Sequence, residues 1–233
     1  MPVPTDAQPV RAHGRERLRE WTLTGLLVFE VLLLFVGVPI GATFKAQWPM
    51  TTGAILALVM VSTVVIMSRS TGAWIVATVA VLLAGAGLFL RVTEPSAITV
   101  WLGHLAAIAS VFALSIVIAR VVFGPGRVTT HRIQGAIVLY LNVAVTFTSA
   151  YRLVLELNPT AFAGVPLGLP ETAAFENMLY FSFTTLTSTG YGELLPISPA
   201  ARSLANLEAI TGQLYLAILL ARLVTLHVES RSR

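Results

Sequence analysis

Thr185-Leu186-Thr187-Ser188-Thr189-Gly190-Tyr191-Gly192-Glu193 is the stretch on which the reading of this chain turns. Gly-Tyr-Gly follows a run of hydroxyl residues, with an apolar helix-former on each side. Such a loop can build a cation filter from backbone carbonyls. Stripping water from K⁺ requires a ring of oxygens that replaces the hydration shell, and four loops of this kind supply it. Glycines at 190 and 192 permit φ values that turn successive carbonyls to one side, which a residue with Cβ resists. The plain alternative is a Gly-rich turn between two membrane helices, and the surrounding sequence is more specific than that.

Composition places the loop in a membrane. The 233 residues are 56% hydrophobic and 11% charged, with a mean hydropathy of +0.82, whereas a soluble domain is about a quarter charged. No cysteine occurs, which excludes disulfides and a thiolate-ligated metal site. Apolar runs of about 20 residues mark spans at 22–44, 51–67, 72–90, 98–123, 131–155 and 201–228. A shorter segment, 173–187, ends on the filter and reads as a re-entrant pore helix; Thr172 is its expected N-cap. Non-helical backbone at that depth survives where protein buries it or it lines a water-filled path.

The basic residues orient the chain. With both termini cytoplasmic, eleven lie inside (Arg11, Arg15, Arg17, Arg19, Arg69, Arg120, Arg127, Arg132, Arg222, Arg231 and Arg233) and four outside (Lys45, Arg91, Arg152 and Arg202), a positive-inside bias. The net charge of +4 therefore reports topology and not nucleic-acid binding. The basic leader before residue 22 is similar to a signal-peptide n-region, yet the apolar run behind it exceeds the usual length, so it is expected to stay as the first span.

Phe181-Ser182-Phe183-Thr184 through Pro196 resembles the pore helix and filter of tetrameric potassium channels. Ala201-Arg202-Ser203-Leu204 to Arg222-Leu223-Val224 resembles their inner helix, with Gly212 at the hinge position. The likeness covers roughly 131–228. It implies K⁺ ligation by the carbonyls of Ser188, Thr189, Gly190 and Tyr191 and by the Ser188 hydroxyl, with the Tyr191 ring turned away from the ions. Two departures stand out. Serine at 188 replaces the commoner threonine, keeping the hydroxyl and losing the β-branch; threonine at 189 replaces valine. Glu193, just past Gly192, takes the place of the usual aspartate, which implies a bond to the pore helix through Tyr180 or Thr184, or a charge at the rim.

On the inner helix Gln213, Leu216, Leu220 and Val224 recur at helical spacing, a candidate cavity and gate face. Gln213 either faces the cavity beneath the filter or bonds an adjacent helix. Glu208 should face the pore helix or span five, where it needs a partner.

Residues 22–123 form four spans with short connections, a peripheral bundle. Voltage sensors carry arginines at every third position of the fourth span, but here that span stays apolar until Arg120. Glu30, inside span one, is a possible sensor, or else is neutral or bonded to Ser62 or Thr63 of span two. His104 reads as a buried interface residue, Gly85 and Gly87 as sites of close helix packing, and Asn142 as a hydrogen-bond donor to a neighbouring helix. Gly124-Pro125-Gly126-Arg127 breaks the chain before span five.

These readings converge on an all-α membrane protein: a cytoplasmic basic segment (1–21), the peripheral bundle (22–123), a linker (124–130), a pore domain (131–228) and a short C-terminus (229–233). Within the pore domain come an outer helix (131–155), a turret (156–172), the pore helix (173–187), the filter (188–192) and the inner helix. One loop per chain implies a homotetramer in the cell membrane, multi-pass, with both termini cytoplasmic. The expected function is passive K⁺ conduction, not enzymic and not voltage-gated by the arginine mechanism. K⁺ is the permeant ligand, without cofactor, nucleotide or nucleic-acid partner. The rivals are a weakly selective cation channel and the membrane subunit of a K⁺ uptake transporter.

Overall fold

The first apolar stretch forms helix α1 (24–43), whose middle turn, Leu33–Gly37, is π-helical. Pro39 supplies the cause. It has no N–H, and its ring crowds the carbonyl four residues back, so the preceding turn widens. This computed structural model describes residues 21, 24–43, 71–93, 96–124 and 130–231. The expected span two with Ser62 and Thr63, most of the linker and the chain's extreme ends lie outside the described residues.

Five further helices follow: α2 (Thr71–Thr93), α3 (Ala97–Val122), α4 (Thr130–Leu157), α5 (Glu171–Leu186) and α6 (Pro199–Arg231). Among the described residues four stretches are long and apolar enough to cross a membrane: Thr24–Gly41, Ile98–Val122, Arg132–Leu157 and Pro199–Arg222. In α2 the strongly apolar part is the shorter Thr71–Gly87. Helix α3 opens on a capping box, in which Ser96 Oγ accepts from the Thr99 N–H and Thr99 Oγ1 accepts from the Ser96 N–H.

Helix α5 starts two residues earlier than the sequence reading has it. Pro170, not Thr172, is the N-cap, and it offers no side-chain hydrogen bond. Glu171 stands in the first turn instead, where a carboxylate suits the positive end of the helix dipole. It also pairs with Arg152 of α4 at 2.6 Å, which ties the turn to the outer helix.

Three apolar clusters hold the helices. A stripe of alanines on α2 (Ala73, Ala77, Ala80) shares one apolar cluster with Leu114 and Ile118 of α3, which in turn pack toward Ala136 and Leu139 of α4. The small side chains bring the helices close, and Ser110 of α3 reaches the Ala80 carbonyl at 2.9 Å. Gly87 extends this seam, since a Cβ there would lie 3.1 Å from Gly103 Cα, whereas Gly85 faces open space. A second cluster packs Leu34 and Val38 of α1 on Leu141 and Val145 of α4 and Leu179 of α5. The Phe35 and Phe183 rings sit 5.0 Å apart at its edge. The third gathers Tyr151, Phe162, Met178, Phe181, Leu194, Ala201 and Ala205 beneath the turret.

A two-stranded antiparallel ladder, β1 (Phe162–Ala163) with β2 (Leu195–Pro196), closes the turret onto the segment after the filter. Gly164 permits the crossing. Its φ is +82°, and any Cβ would run into the Glu193 carbonyl.

Candidate functional site: the loop between α5 and α6

Helix α5 delivers the loop. At its end the Thr187 N–H bonds back to the Phe183 carbonyl, and the chain turns so that the N–H groups of Thr189 and Gly190 both point at the Thr184 carbonyl, at 2.8 and 3.1 Å. Three residues then adopt left-handed φ in alternation: Ser188 at +55°, Gly190 at +53° and Gly192 at +94°. Gly190 and Gly192 carry no penalty there. Ser188 is the only non-glycine with positive φ among the described residues, and a β-branched side chain at such a φ is a genuine outlier.

Side chains brace both ends of the loop. At the inner end Gln213 Nε2 of α6 donates to Ser188 Oγ at 2.9 Å. Thr187 and Thr189 share a hydroxyl hydrogen bond at 2.8 Å on the loop's other side. At the outer end the Tyr180 hydroxyl donates to Glu193 Oε1. Thr184, the alternative partner, turns its hydroxyl to the Phe181 carbonyl instead. The Tyr191 ring lies against Tyr180, nearly parallel, with centroids 6.2 Å apart.

Gly212 lies where α6 crosses the end of α5. It is buried, and an added Cβ would collide with the Leu186 carbonyl. The glycine therefore sets how closely α6 approaches α5; α6 itself runs unbroken through this position. Leu216, Leu220 and Val224 are exposed along with Gln213, an uncovered strip below the loop.

Behind the loop the structure brings together residues that sequence reasoning did not join. Glu208, fully buried on α6, accepts hydrogen-bonding contacts from the Tyr151 hydroxyl of α4 at 2.6 Å and reaches Ser182 Oγ of α5 at 2.5 Å. The helical period shows which way Glu208 faces; naming its partners required the positions of α4 and α5. Tyr151 is held by edge contacts with Phe162 and Phe181.

Other polar residues behave differently. Glu30 is fully buried on α1, and neither carboxylate oxygen has a hydrogen-bond partner among the described residues. Asn142, expected to bond a neighbouring helix, is equally buried, with both its side-chain polar atoms unpartnered among the described residues. His104 is buried on α3. At the far end of α6, Arg222 donates to the Gly124 carbonyl, which also accepts from Arg132 at 2.8 Å, and the Arg222 guanidinium lies 6.0 Å from the Phe123 ring.

Comparison with known proteins bears on the same half of the chain. Residues 133–229 match a family model described as "Ion channel". An inward rectifier potassium channel of Paramagnetospirillum magnetotacticum, Kirbac3.1, is 44% identical over 45 residues. That alignment covers 19% of this chain and 15% of the relative, so the two share a short segment and not a common length. No solved structure matches the chain. Four apolar helices long enough to cross a membrane and this match together mark the protein as a mostly helical membrane protein, with a segment similar to an ion channel.

Proposed function

We propose that the chain is one subunit of a homotetrameric potassium-selective channel in the cell membrane, with six spans, a re-entrant pore loop and both termini cytoplasmic. The observation that carries this reading is the alternation of left-handed φ at Ser188, Gly190 and Gly192 within a Thr-Ser-Thr-Gly-Tyr-Gly loop. Successive carbonyls in a backbone that alternates in handedness can be aimed to one side, as a ring of K⁺ ligands requires. Ser188, Thr189, Gly190 and Tyr191 would contribute them. The negative end of the α5 dipole, at Thr187, favours a cation beneath the loop, and Gln213, Leu216, Leu220 and Val224 would line the cavity and gate.

Two features support four copies. A single loop cannot encircle an ion, and α6 leaves Leu207, Ile210, Leu214, Ile218 and Leu220 exposed, more apolar surface than an isolated helix face leaves bare without a partner or lipid. The conduction path would open without voltage sensing, because α3 carries only Arg120, in its last turn.

Purified protein in liposomes tests the reading. K⁺ and Rb⁺ fluxes well above Na⁺ flux, changing only shallowly with applied voltage, are the expected result. A reversal potential near zero in opposing K⁺ and Na⁺ solutions would replace it with the weakly selective cation channel.

A further inference from the structure

The hydrogens around Glu208 can be counted. Three oxygen–oxygen contacts meet there: Tyr151 hydroxyl to Oε2 at 2.6 Å, Ser182 Oγ to Oε1 at 2.5 Å, and Ser182 Oγ to the Ala144 carbonyl at 2.8 Å. Each distance is that of an O–H···O hydrogen bond, so each contact needs one hydrogen. Tyr151 and Ser182 bring one apiece, and a carbonyl brings none. With an ionised Glu208 one contact would press two lone pairs together. With a protonated Glu208 all three are satisfied: Tyr151 donates to Oε2, the acid O–H on Oε1 donates to Ser182, and Ser182 donates to Ala144.

The surroundings agree. Glu208, Ser182 and Tyr151 are each fully buried. Glu208 forms no ion pair among the described residues, and the titratable groups facing it are two phenols of α4, Tyr151 and the more distant Tyr140. An isolated carboxylate in such a place is costly, and the group neutralises instead.

We propose that Glu208 is held as a neutral carboxylic acid and is a positioning residue for the filter. It joins the inner helix to the pore helix at Ser182 and to the outer helix at Tyr151. Ser182 stands two residues before Thr184, whose carbonyl receives the Thr189 and Gly190 N–H groups, so the junction fixes the peptide from which the loop hangs. This inference rests on the channel reading for its consequence, but not for its chemistry.

Infrared difference spectroscopy of the purified tetramer tests the chemistry. The parent minus Glu208→Gln spectrum at neutral pH should contain the carbonyl stretch of one protonated carboxyl, and Tyr151→Phe should move that band to higher frequency by removing its donor. A carboxylate signal in its place, or no shift in Tyr151→Phe, overturns the assignment. These readouts do not need a conducting protein, so a protonated Glu208 in a protein that passes no K⁺ would sink the channel reading and leave this one standing.

The positioning role is read in bilayers. Glu208→Gln, whose amide can donate to Ser182 and accept from Tyr151, should keep the parent's reversal potential and steady current. Glu208→Leu should lose current during sustained opening roughly tenfold faster, the ratio expected for a buried hydrogen-bond group left unmet. If Glu208→Leu conducts as steadily as the parent, or if Glu208→Gln decays as Glu208→Leu does, the role as stated is wrong.

Discussion

The chain has a front half, α1 to α3, and a pore half, α4 to α6, and they differ in how their helices are joined. In the pore half hydrogen bonds cross-link the helices: buried Tyr151 and Ser182 with Glu208, half-buried Tyr215 with the Ala136 carbonyl at 2.6 Å, and, at the exposed loop, Gln213 with Ser188. On the front side, and on the α4 face turned toward it, Glu30, Ser115 and Asn142 are buried without hydrogen-bond partners among the described residues. Buried donors and acceptors that find partners fix one geometry, whereas unmet ones cost stability and specify nothing. The half that carries the proposed filter loop is therefore cross-braced. The front half is held mainly by apolar seams, with the Ser110 to Ala80 bond across one of them.

The halves pack along apolar seams of α3 and α1 on α4, and two further contacts between them stand out. One is the Gly124 carbonyl, where Arg132 and Arg222 both arrive from the pore half. The other is the Phe35–Phe183 contact between α1 and α5.

The most severe test lies in the pore half. Gly212→Ala adds a methyl against the Leu186 carbonyl, an overpacking worth about 1–3 kcal/mol that displaces the pore helix. Loss of steady conduction and a lower midpoint for thermal dissociation of the oligomer are expected. A variant that only shifts the balance of open and closed states, at unchanged stability, would make Gly212 a hinge in the usual sense instead.

Ser188→Thr comes next, placing a β-branched residue at a φ of +55°, where left-handed backbone costs about 1–2 kcal/mol. Ser188→Gly should relieve that strain but lose the hydroxyl that accepts from Gln213. The K⁺ to Na⁺ permeability ratio is expected to fall in both, further in threonine. An unchanged ratio in Ser188→Thr would mean that the left-handed turn is not the conducting conformation.

Tyr180→Phe removes the donor to Glu193 at the loop's outer end while keeping the ring on which Tyr191 rests. Current should decline several-fold faster during sustained opening, with oligomer assembly intact. Steady conduction would show that the Tyr180–Tyr191 ring contact alone supports the loop.

The smallest effect on conduction is expected in the front half. Glu30→Leu exchanges a carboxyl unmet among the described residues for an apolar side chain, a replacement that is nearly neutral or stabilising by about 1–3 kcal/mol. Thermal stability should be kept or rise, and selectivity should not change. A pH-dependent current in the parent that disappears in Glu30→Leu would break the contrast between the halves and make α1 a sensor of acidity.

The loop was legible in the sequence because its chemistry is local. Glycines at alternate positions behind hydroxyl residues dictate what the backbone can do, wherever the helices around them lie. Apolar runs gave the helices for the same reason, since crossing hydrocarbon sets length and composition residue by residue. The ends of α5 were harder, because Glu171 is fixed by Arg152, which lies on another helix.

Sequence alone therefore determined that this is a membrane protein carrying a Gly-Tyr-Gly loop between two apolar helices, with no charge ladder along 98–119. Tertiary structure decided which atoms meet. It joined Glu208 to Tyr151 and Ser182 across 57 and 26 residues, set Tyr180 rather than Thr184 against Glu193, gave Gly212 a carbonyl to clear, and left Asn142 without a partner among the described residues. Helical periodicity gives the direction of a side chain and not the neighbour waiting there. That neighbour depends on how three helices are rotated and staggered against one another, which only their packing together fixes.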